Sequence, residues 1–540
     1  MRVAIIGAGL GGLTAAAELA HAGAEVHLFE AADAPGGKAR QVPAGGRMVD
    51  AGPTVLTMSW VFEALFDALD ERLADHVDMR PAEILARHYW PDGSALDLFA
   101  DPAASEAAIA AFAGGEEAAR FAAFSARAER IYRALAPVFI EAAKPTALGA
   151  ARGVGLSPRV LADLAPWNSL WSALGRELRD PRLIQLFGRY ATYVGGSPFA
   201  SPALLMLIWH VEAAGVWRIE GGIHAMARAL ARIAEAQGAT ITYGARVAEI
   251  TTGGGRATGL RLEDGRRIAA DAVVFNGDPS ALGTGLLEGA RVATRPVPPH
   301  QRSHSALTFT ALARPSGRPL AHHTVVFGSD YRGEFDAIAR GHLPPEPTTY
   351  FCAEDRARTA SIGPERLFAI INAPATGDTR PLPQEEIDRC LTSMHRLLSR
   401  SQLALNLMPE TVTVTAPQDY ERMFPGSGGA LYGLSPHGAI AGLKRPGARS
   451  RLPGLYLAGG AVHPGAGVPM ATLSGRQAAT ALMADRGSMS PSRPAAMLGG
   501  ISTASRTTAP MRSPSSSSSA PSSRPTTPGG AAPRPKITAP

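Results

Sequence analysis

Two glycine-rich segments of the chain have the residue types and the spacing needed to bind a dinucleotide. The first, Gly7-x-Gly9-x-x-Gly12, follows an apolar strand predicted over Val3–Ile6 and precedes a small-residue helix predicted from Leu13. Gly7 permits the tight turn, Gly9 lets the backbone approach a pyrophosphate, and Gly12 lets the helix pack closely on the strand. The pyrophosphate would then lie on the free amides at the start of the helix.

An acid and a second glycine loop extend this prediction. The next predicted strand ends in Glu30, at the spacing expected for a ribose hydroxyl contact, and Lys38 or Arg40 can neutralise pyrophosphate charge. Near the other end of the chain, the apolar run 455–460 leads through a Gly/Pro loop to a helix predicted to start near Val468. The N-terminus of that helix can stabilise negative charge on a flavin. Together these features favour FAD over NAD.

Charge and cysteine content argue against several other classes of protein. The chain has 540 residues with 53 Lys and Arg against 47 Asp and Glu, and its six surplus bases all lie in the acid-free segment 487–540. Residues 1–486 are therefore neutral overall, which gives no support for a nucleic-acid partner. Cys352 and Cys390 form no metal-binding motif and suit a reducing compartment.

Patterns between the two glycine segments predict further elements. Residues 84–98 are typical of a β-hairpin, 103–190 have helical periodicity, and a helix is predicted near 384–400. The apolar run 203–209 is too short to cross a bilayer. The segment 487–540 is rich in Ser, Pro and Thr, a composition that predicts disorder.

Four segments of the chain carry a family resemblance: DAPGGKARQVPAGGRMVDAGPT, RLIQLFGRYATYVGGSP, GVWRIEGG and GLYLAGGAVHPGAGVPMATLSG. With them, the chain resembles the bacterial phytoene-desaturase type of carotenoid desaturase over about residues 1–486. Three further segments narrow it to the 1-hydroxycarotenoid 3,4-desaturases, also called methoxyneurosporene desaturases: RPAEILARHYWPDGSALDLFAD, PTTYFCAEDR and FPGSGGALYG.

The resemblance implies an α/β fold with a Rossmann-type FAD-binding domain of the glutathione-reductase and amine-oxidase kind. It implies three folded parts: a discontinuous FAD-binding domain (1–75, 215–285 and 445–486), a β-sheet substrate domain (76–102 and 286–444) and a helical membrane-facing lobe (103–214). The tail 487–540, predicted from its composition to be disordered, lies outside the resemblance. Carried onto this chain, the FAD contacts are Gly7, Gly9, Gly11, Gly12, Glu30, Gly37, Lys38, Thr54, Val55, Val247, Asn276, Leu431, Gly460, Val468 and Met470.

The expected reaction removes a hydride and a proton from neighbouring carbons of an acyclic 1-hydroxy or 1-methoxy carotenoid. The flavin takes the hydride and the polyene stabilises the cation, so the protein needs an apolar tunnel more than a set of catalytic side chains. Only one GxGxxG is present, so the electrons are expected to leave the flavin to oxygen or a quinone. Peripheral contact with the cytoplasmic face of the inner membrane would admit the lipid-dissolved substrate.

Several polar residues are weighed as acid, base or metal ligand, and none forms a convincing catalytic set. Asp180 and Glu212 are expected to form an ion pair or a helix cap. His88 and Tyr89 are expected to pack as the edge of an aromatic cluster. His322 and His323 could bind a metal, but neighbouring strand residues face opposite ways and the sequence gives no recognisable third ligand. The exception is His463, the histidine that lies in the predicted flavin loop and is the first to mutate. Trp209, Trp217, Phe187 and the run 204–208 read as core or membrane-dipping surface.

Other functions share these motifs and remain open at the level of sequence. Phytoene desaturation and carotenoid isomerisation require the same cradle and the same tunnel. An amine-oxidising flavoenzyme would need an aromatic cage near Val468, for which the sequence gives no clustered pair. A non-catalytic lipid carrier would have no need of Glu30 and Lys38 in an intact flavin-binding motif.

Overall fold

The computed structural model describes residues 1–146, 162–357 and 363–487. The predicted tail therefore lies outside the described residues, apart from its first residue. Twenty-one strands are described: β1 (Arg2–Ile6), β2 (Glu25–Phe29), β3 (Gln41–Ala44), β4 (Arg47–Asp50), β5 (Met79–Pro81), β6 (Ile84–Tyr89), β7 (Ala95–Phe99), β8 (Trp217–Ile219), β9 (Thr240–Thr242), β10 (Val247–Gly253), β11 (Arg256–Leu262), β12 (Arg267–Ala269), β13 (Ala272–Phe275), β14 (Ser305–Ala313), β15 (Ser316–Gly317), β16 (His323–Val326), β17 (Thr349–Ala353), β18 (Glu365–Ala373), β19 (Leu403–Ala404), β20 (Thr413–Thr415) and β21 (Leu455–Leu457).

The α-helices of the described residues connect and cover these strands. They are α1 (Leu10–His21), α2 (Trp60–Asp67), α3 (Leu73–His76), α4 (Pro102–Ala113), α5 (Gly115–Leu135), α6 (Leu170–Glu177), α7 (Pro181–Gly188), α8 (Leu207–Ala213), α9 (Ile223–Ala236), α10 (Pro279–Thr284), α11 (Tyr331–Ala339), α12 (Gln384–Arg400), α13 (Pro417–Met423) and α14 (Val468–Gly487). The hairpin β6–β7 and helix α12 confirm two of the predicted elements.

A parallel sheet forms the base of the molecule, with the strand order β21-β13-β1-β2-β9. Its strands come from both ends of the chain and from the middle, and helix α1 packs against α9 and α14 beside it. Every side chain of β13 and β21 is buried, as expected for parallel strands covered on both faces. The predicted α/β fold class with a Rossmann-type sheet is confirmed.

A second sheet of seven strands lies over the site, in the order β20-β14-β18-β17-β16-β6-β7. It is antiparallel apart from the β16–β6 pair, and all residues of β14, β16 and β17 are buried. Polar residues on these strands therefore point into the protein or into a cavity. Three short strands, β10, β11 and β12, form a smaller antiparallel sheet that ends where β13 begins.

Helices α4 to α8 form a bundle with an aromatic core. Neighbouring rings among Phe121, Phe124, Phe187 and Trp209 have centroids 4.8 to 6.4 Å apart. Phe187 and Trp209 are almost fully buried, so these two side chains belong to the core and not to a membrane-facing surface. The stack fixes α7 and α8, which carry the polar residues discussed below.

Candidate flavin and substrate site

One cavity of about 1240 Å³ joins the parallel sheet, the seven-stranded sheet and the helical bundle. Its volume exceeds the roughly 300–1,000 Å³ of ordinary small-molecule sites, so it has room for more than one ligand. Nearly all of the sequence-predicted flavin contacts line it, namely Gly7, Gly9, Gly11, Glu30, Gly37, Lys38, Thr54, Val55, Val247, Asn276, Leu431, Gly460, Val468 and Met470.

Gly12 is the predicted contact that does not line the cavity, and its role is packing. A Cβ on Gly12 would lie 2.1 Å from the carbonyl oxygen of Gly7, so the helix can approach the strand only if this residue is glycine. Helix α1 begins at Leu10, three residues before the predicted start at Leu13. The N-cap, Gly9, makes no side-chain capping bond, which leaves the first amides of the helix free to bind an anion.

Glu30 and Lys38 are held in position by hydrogen bonds to the backbone. The Glu30 carboxylate accepts from the amides of Ala8 at 2.6 Å and Ala32 at 2.8 Å, which fixes it at the end of β2. Lys38 Nζ donates to the carbonyl oxygen of Leu431 at 2.9 Å and so links two predicted contacts that lie far apart in sequence. Burial lowers the pKa of the Lys38 ammonium, an effect that an anionic ligand would offset.

Arg445 is a cavity residue that sequence reasoning missed. Its guanidinium donates to the carbonyl oxygens of Leu434 at 2.9 Å and Gly460 at 3.3 Å, next to the start of α14. Burial lowers the pKa of Arg445 to about 10, and the carboxylate of Asp278 opposes that shift. No local motif marks Arg445, because it lies 15 residues before Gly460 in an irregular segment.

The glycine cradle, the free helix amides and the two enclosed cations fit a flavin dinucleotide. Asn276 at the end of β13 donates to the carbonyl oxygen of Gly7 at 3.1 Å, which ties the turn to the sheet. A Cβ on Gly11 would approach Asn276 Oδ1 to 2.8 Å, so this part of the cradle has no space for a larger residue. Glu30 stands at the position for ribose hydroxyls, and the amides and cations can hold phosphate oxygens.

The opposite side of the cavity is apolar. It is lined by side chains of the helical bundle and of the segment before β21, including Leu135, Phe139, Ile140, Leu204, Leu205, Ile208 and Leu443. This surface agrees with the predicted apolar tunnel. Such a surface can hold a hydrocarbon chain and exclude water from the flavin end.

A polar cluster of Arg189, Tyr190, Tyr193, Glu212 and Tyr350 interrupts this apolar surface. Glu212 accepts hydrogen bonds from the hydroxyls of Tyr190 and of Tyr193, the latter at 3.0 Å. The expectation of an ion pair or a helix cap for Glu212 is therefore wrong. Burial raises the pKa of the Glu212 carboxyl, and the two tyrosine bonds oppose the rise. Arg189, Tyr193, Glu212 and Tyr350 all line the cavity.

The remaining polar candidates have structural roles. Asp180 caps α7 through the amide of Arg182 at 2.8 Å, which confirms the structural reading of this residue. His88 stacks on Phe327, and burial lowers the pKa of His88 to about 3. His463 is fully buried, and its Nε2 donates a hydrogen bond to the carbonyl oxygen of Ala142 at 2.8 Å. This bond gives the side chain a structural role.

His322 and His323 do have a third potential ligand, which is Cys352. The donor atoms of these three residues lie within 4.8 Å of one another. His323 and Cys352 face each other across β16 and β17, whereas His322 lies just before β16 and is free of the strand alternation. The cluster is hydrogen-bonded internally, with His322 Nε2 3.7 Å from Cys352 Sγ and His323 Nδ1 2.6 Å from the hydroxyl of Tyr350. The expectation that no third ligand exists is therefore wrong.

Comparison with known proteins places this geometry in a family. Residues 10–483 match the family model described as flavin containing amine oxidoreductase. The chain belongs to this family. It is an FAD-dependent oxidoreductase. The predicted flavin contacts from Gly11 to Met470 lie within the matched range, and Gly7 and Gly9 lie directly before it.

Two curated relatives are similar over nearly their full length. The chain is 49% identical to the hydroxyneurosporene desaturase of Cereibacter sphaeroides, over 91% of this chain and 99% of that protein. It is 48% identical to the hydroxyneurosporene desaturase of Rubrivivax gelatinosus, over 94% of this chain and 98% of that protein. The resemblance to carotenoid desaturases is therefore confirmed.

A solved structure shares the fold. An oxidoreductase from Methanosarcina mazei aligns with a TM-score of 0.56 and 18% identity, over 90% of this chain and all of that chain. At this identity the match supports the fold and does not address the substrate.

Proposed function

We propose that this protein is a carotenoid 3,4-desaturase that acts on an acyclic 1-hydroxy or 1-methoxy carotenoid. The observation that carries the proposal is the near-full-length identity of 49% to a hydroxyneurosporene desaturase. The cavity supports it, because one continuous space runs from the glycine cradle to an apolar surface suited to a polyene. Phytoene desaturation, carotenoid isomerisation and amine oxidation are the competing activities.

The chain contributes orientation and water exclusion to the reaction. FAD, when bound, accepts the hydride that leaves the substrate, and the conjugated chain stabilises the cation that remains. The apolar side chains that line the cavity, among them Leu135 and Leu443, hold the polyene and keep water away from the reacting carbons. The polar cluster around Arg189 adds a charged group to this largely apolar surface.

The first test follows the carotenoid absorption spectrum during incubation of purified protein with FAD and detergent-dispersed 1-hydroxyneurosporene under air. A red shift of the polyene bands that requires FAD shows that a double bond has been added. Bound flavin without a shift for this substrate, together with a shift for phytoene, would replace the proposal with phytoene desaturation. Turnover of a small amine alone would replace it with amine oxidation.

We further propose that the substrate enters from the cytoplasmic face of the inner membrane by peripheral contact. Trp167 is 92% exposed and Ile440 is 58% exposed. Trp167 follows Pro166 in the sequence and Ile440 precedes Ala441, and both Pro166 and Ala441 line the cavity. Exposed apolar side chains next to cavity-lining residues are suited to insert into a lipid surface. None of the helices in the described part of the chain has the length and apolarity of a membrane span.

Vesicle flotation tests the membrane proposal. The double substitution of Trp167→Ser and Ile440→Ser should reduce binding to vesicles and slow turnover of vesicle-dissolved carotenoid, with normal turnover in detergent. Val292→Ser is the matched control, because Val292 is 66% exposed and is not among the cavity-lining residues. Equal binding by the double variant and the control would refute the assignment of this surface.

We also propose oxygen or a quinone as the electron acceptor. The sequence has one GxGxxG, and it is the one already placed at the flavin cradle. Anaerobic turnover with an added quinone, and its absence without one, would identify a quinone acceptor. Turnover that needs NAD or NADP would contradict the proposal.

A further inference from the structure

Arg189 places a positive charge on the otherwise apolar side of the cavity, where the carboxylates of Glu212 and Glu334 act on it only from beyond salt-bridge distance. It follows α7 and begins the short 3-10 turn Arg189–Val194, and its side chain lines the cavity. Among the described residues, no carboxylate oxygen lies within the 4.0 Å that defines a salt bridge to Arg189. An enclosed cation without an ion-pair partner is costly, so its presence calls for a functional reason.

The neighbours of Arg189 are tyrosine rings and one tyrosine hydroxyl. Its guanidinium carbon lies 5.3 Å from the ring centres of both Tyr193 and Tyr350, and Nη1 is 3.4 Å from the hydroxyl of Tyr193. The Tyr193 hydroxyl donates its own proton to Glu212, at 3.0 Å. A guanidinium has five N–H donors, so most of those on Arg189 are left for a ligand in the cavity.

Arg189 is connected to the flavin side of the cavity through Tyr350. Tyr350 lies against Arg189, and its hydroxyl is 2.7 Å from Oγ1 of Thr54, a residue among the expected FAD contacts. A substrate oxygen bound by Arg189 would therefore be held near the flavin, with the hydrocarbon chain extending along the apolar side chains.

We propose that Arg189 recognises the oxygen on C-1 of the carotenoid by donating a hydrogen bond to it. This inference rests on the proposed function. In a 3,4-desaturation, only C-2 separates the oxygen-bearing C-1 from the reacting C-3, so the oxygen must lie close to the flavin. Arg189 is a cavity residue with N–H groups to donate to it, and the bond would set which carbons face the flavin.

The chemistry of the donor also defines the substrate class. A guanidinium donates and does not accept, so it binds the oxygen of a hydroxyl and of a methoxyl alike. A carotenoid without oxygen at C-1 would leave the guanidinium enclosed and unsatisfied, and it would be disfavoured. Arg189 therefore selects for oxygen at C-1 and tolerates its methylation.

A competition assay tests this role directly. Equal amounts of 1-hydroxyneurosporene and neurosporene are placed in the same detergent micelles, and the product ratio gives the ratio of kcat/KM. Replacing Arg189 by Met should reduce the preference for the hydroxylated substrate by roughly 10- to 100-fold, the value of one hydrogen bond to a charged group. Arg189→Lys, which keeps a donor, should restore part of the preference. Wild-type protein should use the 1-methoxy carotenoid as well.

Each result distinguishes the inference from the proposed function. Flavin absorbance per protein checks that both variants keep the cofactor site. If Arg189→Met lowers turnover of both carotenoids equally, or leaves the preference unchanged, Arg189 does not read the oxygen, although the desaturase proposal stands. Rejection of the 1-methoxy substrate by the wild type would also overturn the donor-only argument. If the wild type desaturates neither oxygenated carotenoid, the proposed function itself fails.

Discussion

The contact between Gly12 and Gly7 gives the sharpest prediction for the cofactor cradle. In Gly12→Ala the new methyl carbon would lie 2.1 Å from the carbonyl oxygen of Gly7 and 2.9 Å from Nδ2 of Asn276. A normal carbon–oxygen contact is about 3.3 Å, so the helix and the turn must separate by roughly 1 Å. Because both neighbours belong to the cradle, the separation would displace the helix amides that we expect to bind phosphate.

The size of the effect follows from the bonds that this shift would break. Overpacking of this kind costs about 1–3 kcal/mol, more than the roughly 1 kcal/mol that alanine gains over glycine in a helix. Loss of one charge-assisted hydrogen bond to the pyrophosphate costs a further 1.5–3 kcal/mol. We therefore expect FAD to bind Gly12→Ala roughly 10- to 100-fold more weakly than it binds the wild type.

The assay is titration of apoprotein with FAD, followed by flavin fluorescence, with the flavin content of the purified protein as a second readout. Gly175→Ala is the matched control, since Gly175 lies in helix α6 and a Cβ there would meet nothing within 4 Å. This control should bind FAD normally and be slightly more stable. Unchanged FAD affinity in Gly12→Ala would refute the close-packing argument.

Three further predictions concern polar side chains outside the glycine cradle. Tyr350→Phe removes the hydroxyl that lies 2.6 Å from Nδ1 of His323, a residue whose Nε2 already has no hydrogen-bond partner among the described residues. The substitution should lower the free energy of unfolding, measured by denaturant titration, by about 1–3 kcal/mol. An unchanged free energy of unfolding would contradict this prediction. Burial and the nearby Asp50 raise the pKa of the Glu354 carboxyl from 4.5 to about 8. Between these two pH values the native state keeps a proton that the unfolded chain has released, so the free energy of unfolding falls as the pH rises through this range. Glu354→Gln should flatten that slope in thermal unfolding across this range, and an unchanged slope would exclude Glu354 as its source. Asp180→Ala should cost about 1 kcal/mol through loss of a helix cap without changing kcat, and a large fall in kcat would return Asp180 to the catalytic candidates.

Much of the flavin site is visible in the sequence because it is built from backbone and from short contiguous motifs. The turn from Gly7 to Gly12 and the loop before Val468 each specify a strand, a turn and a helix within about 20 residues, by glycine spacing alone. The start of α1 was displaced from Leu13 to Leu10, since Leu10 and Gly11 extend the helix into the turn itself. The parallel sheet followed from the same motifs.

The tertiary structure alone decided which side chains line the cavity together. Arg189 lies against Tyr350, 161 positions away, and Cys352 joins His322 and His323 only because β16 pairs with β17. The sequence predicts an ion pair or a helix cap for Glu212, whereas its hydrogen-bond partners are two tyrosine hydroxyls. Residue type and spacing determine local backbone geometry, whereas burial and long-range pairing determine the surroundings of each polar group, and those surroundings set its charge and its chemistry.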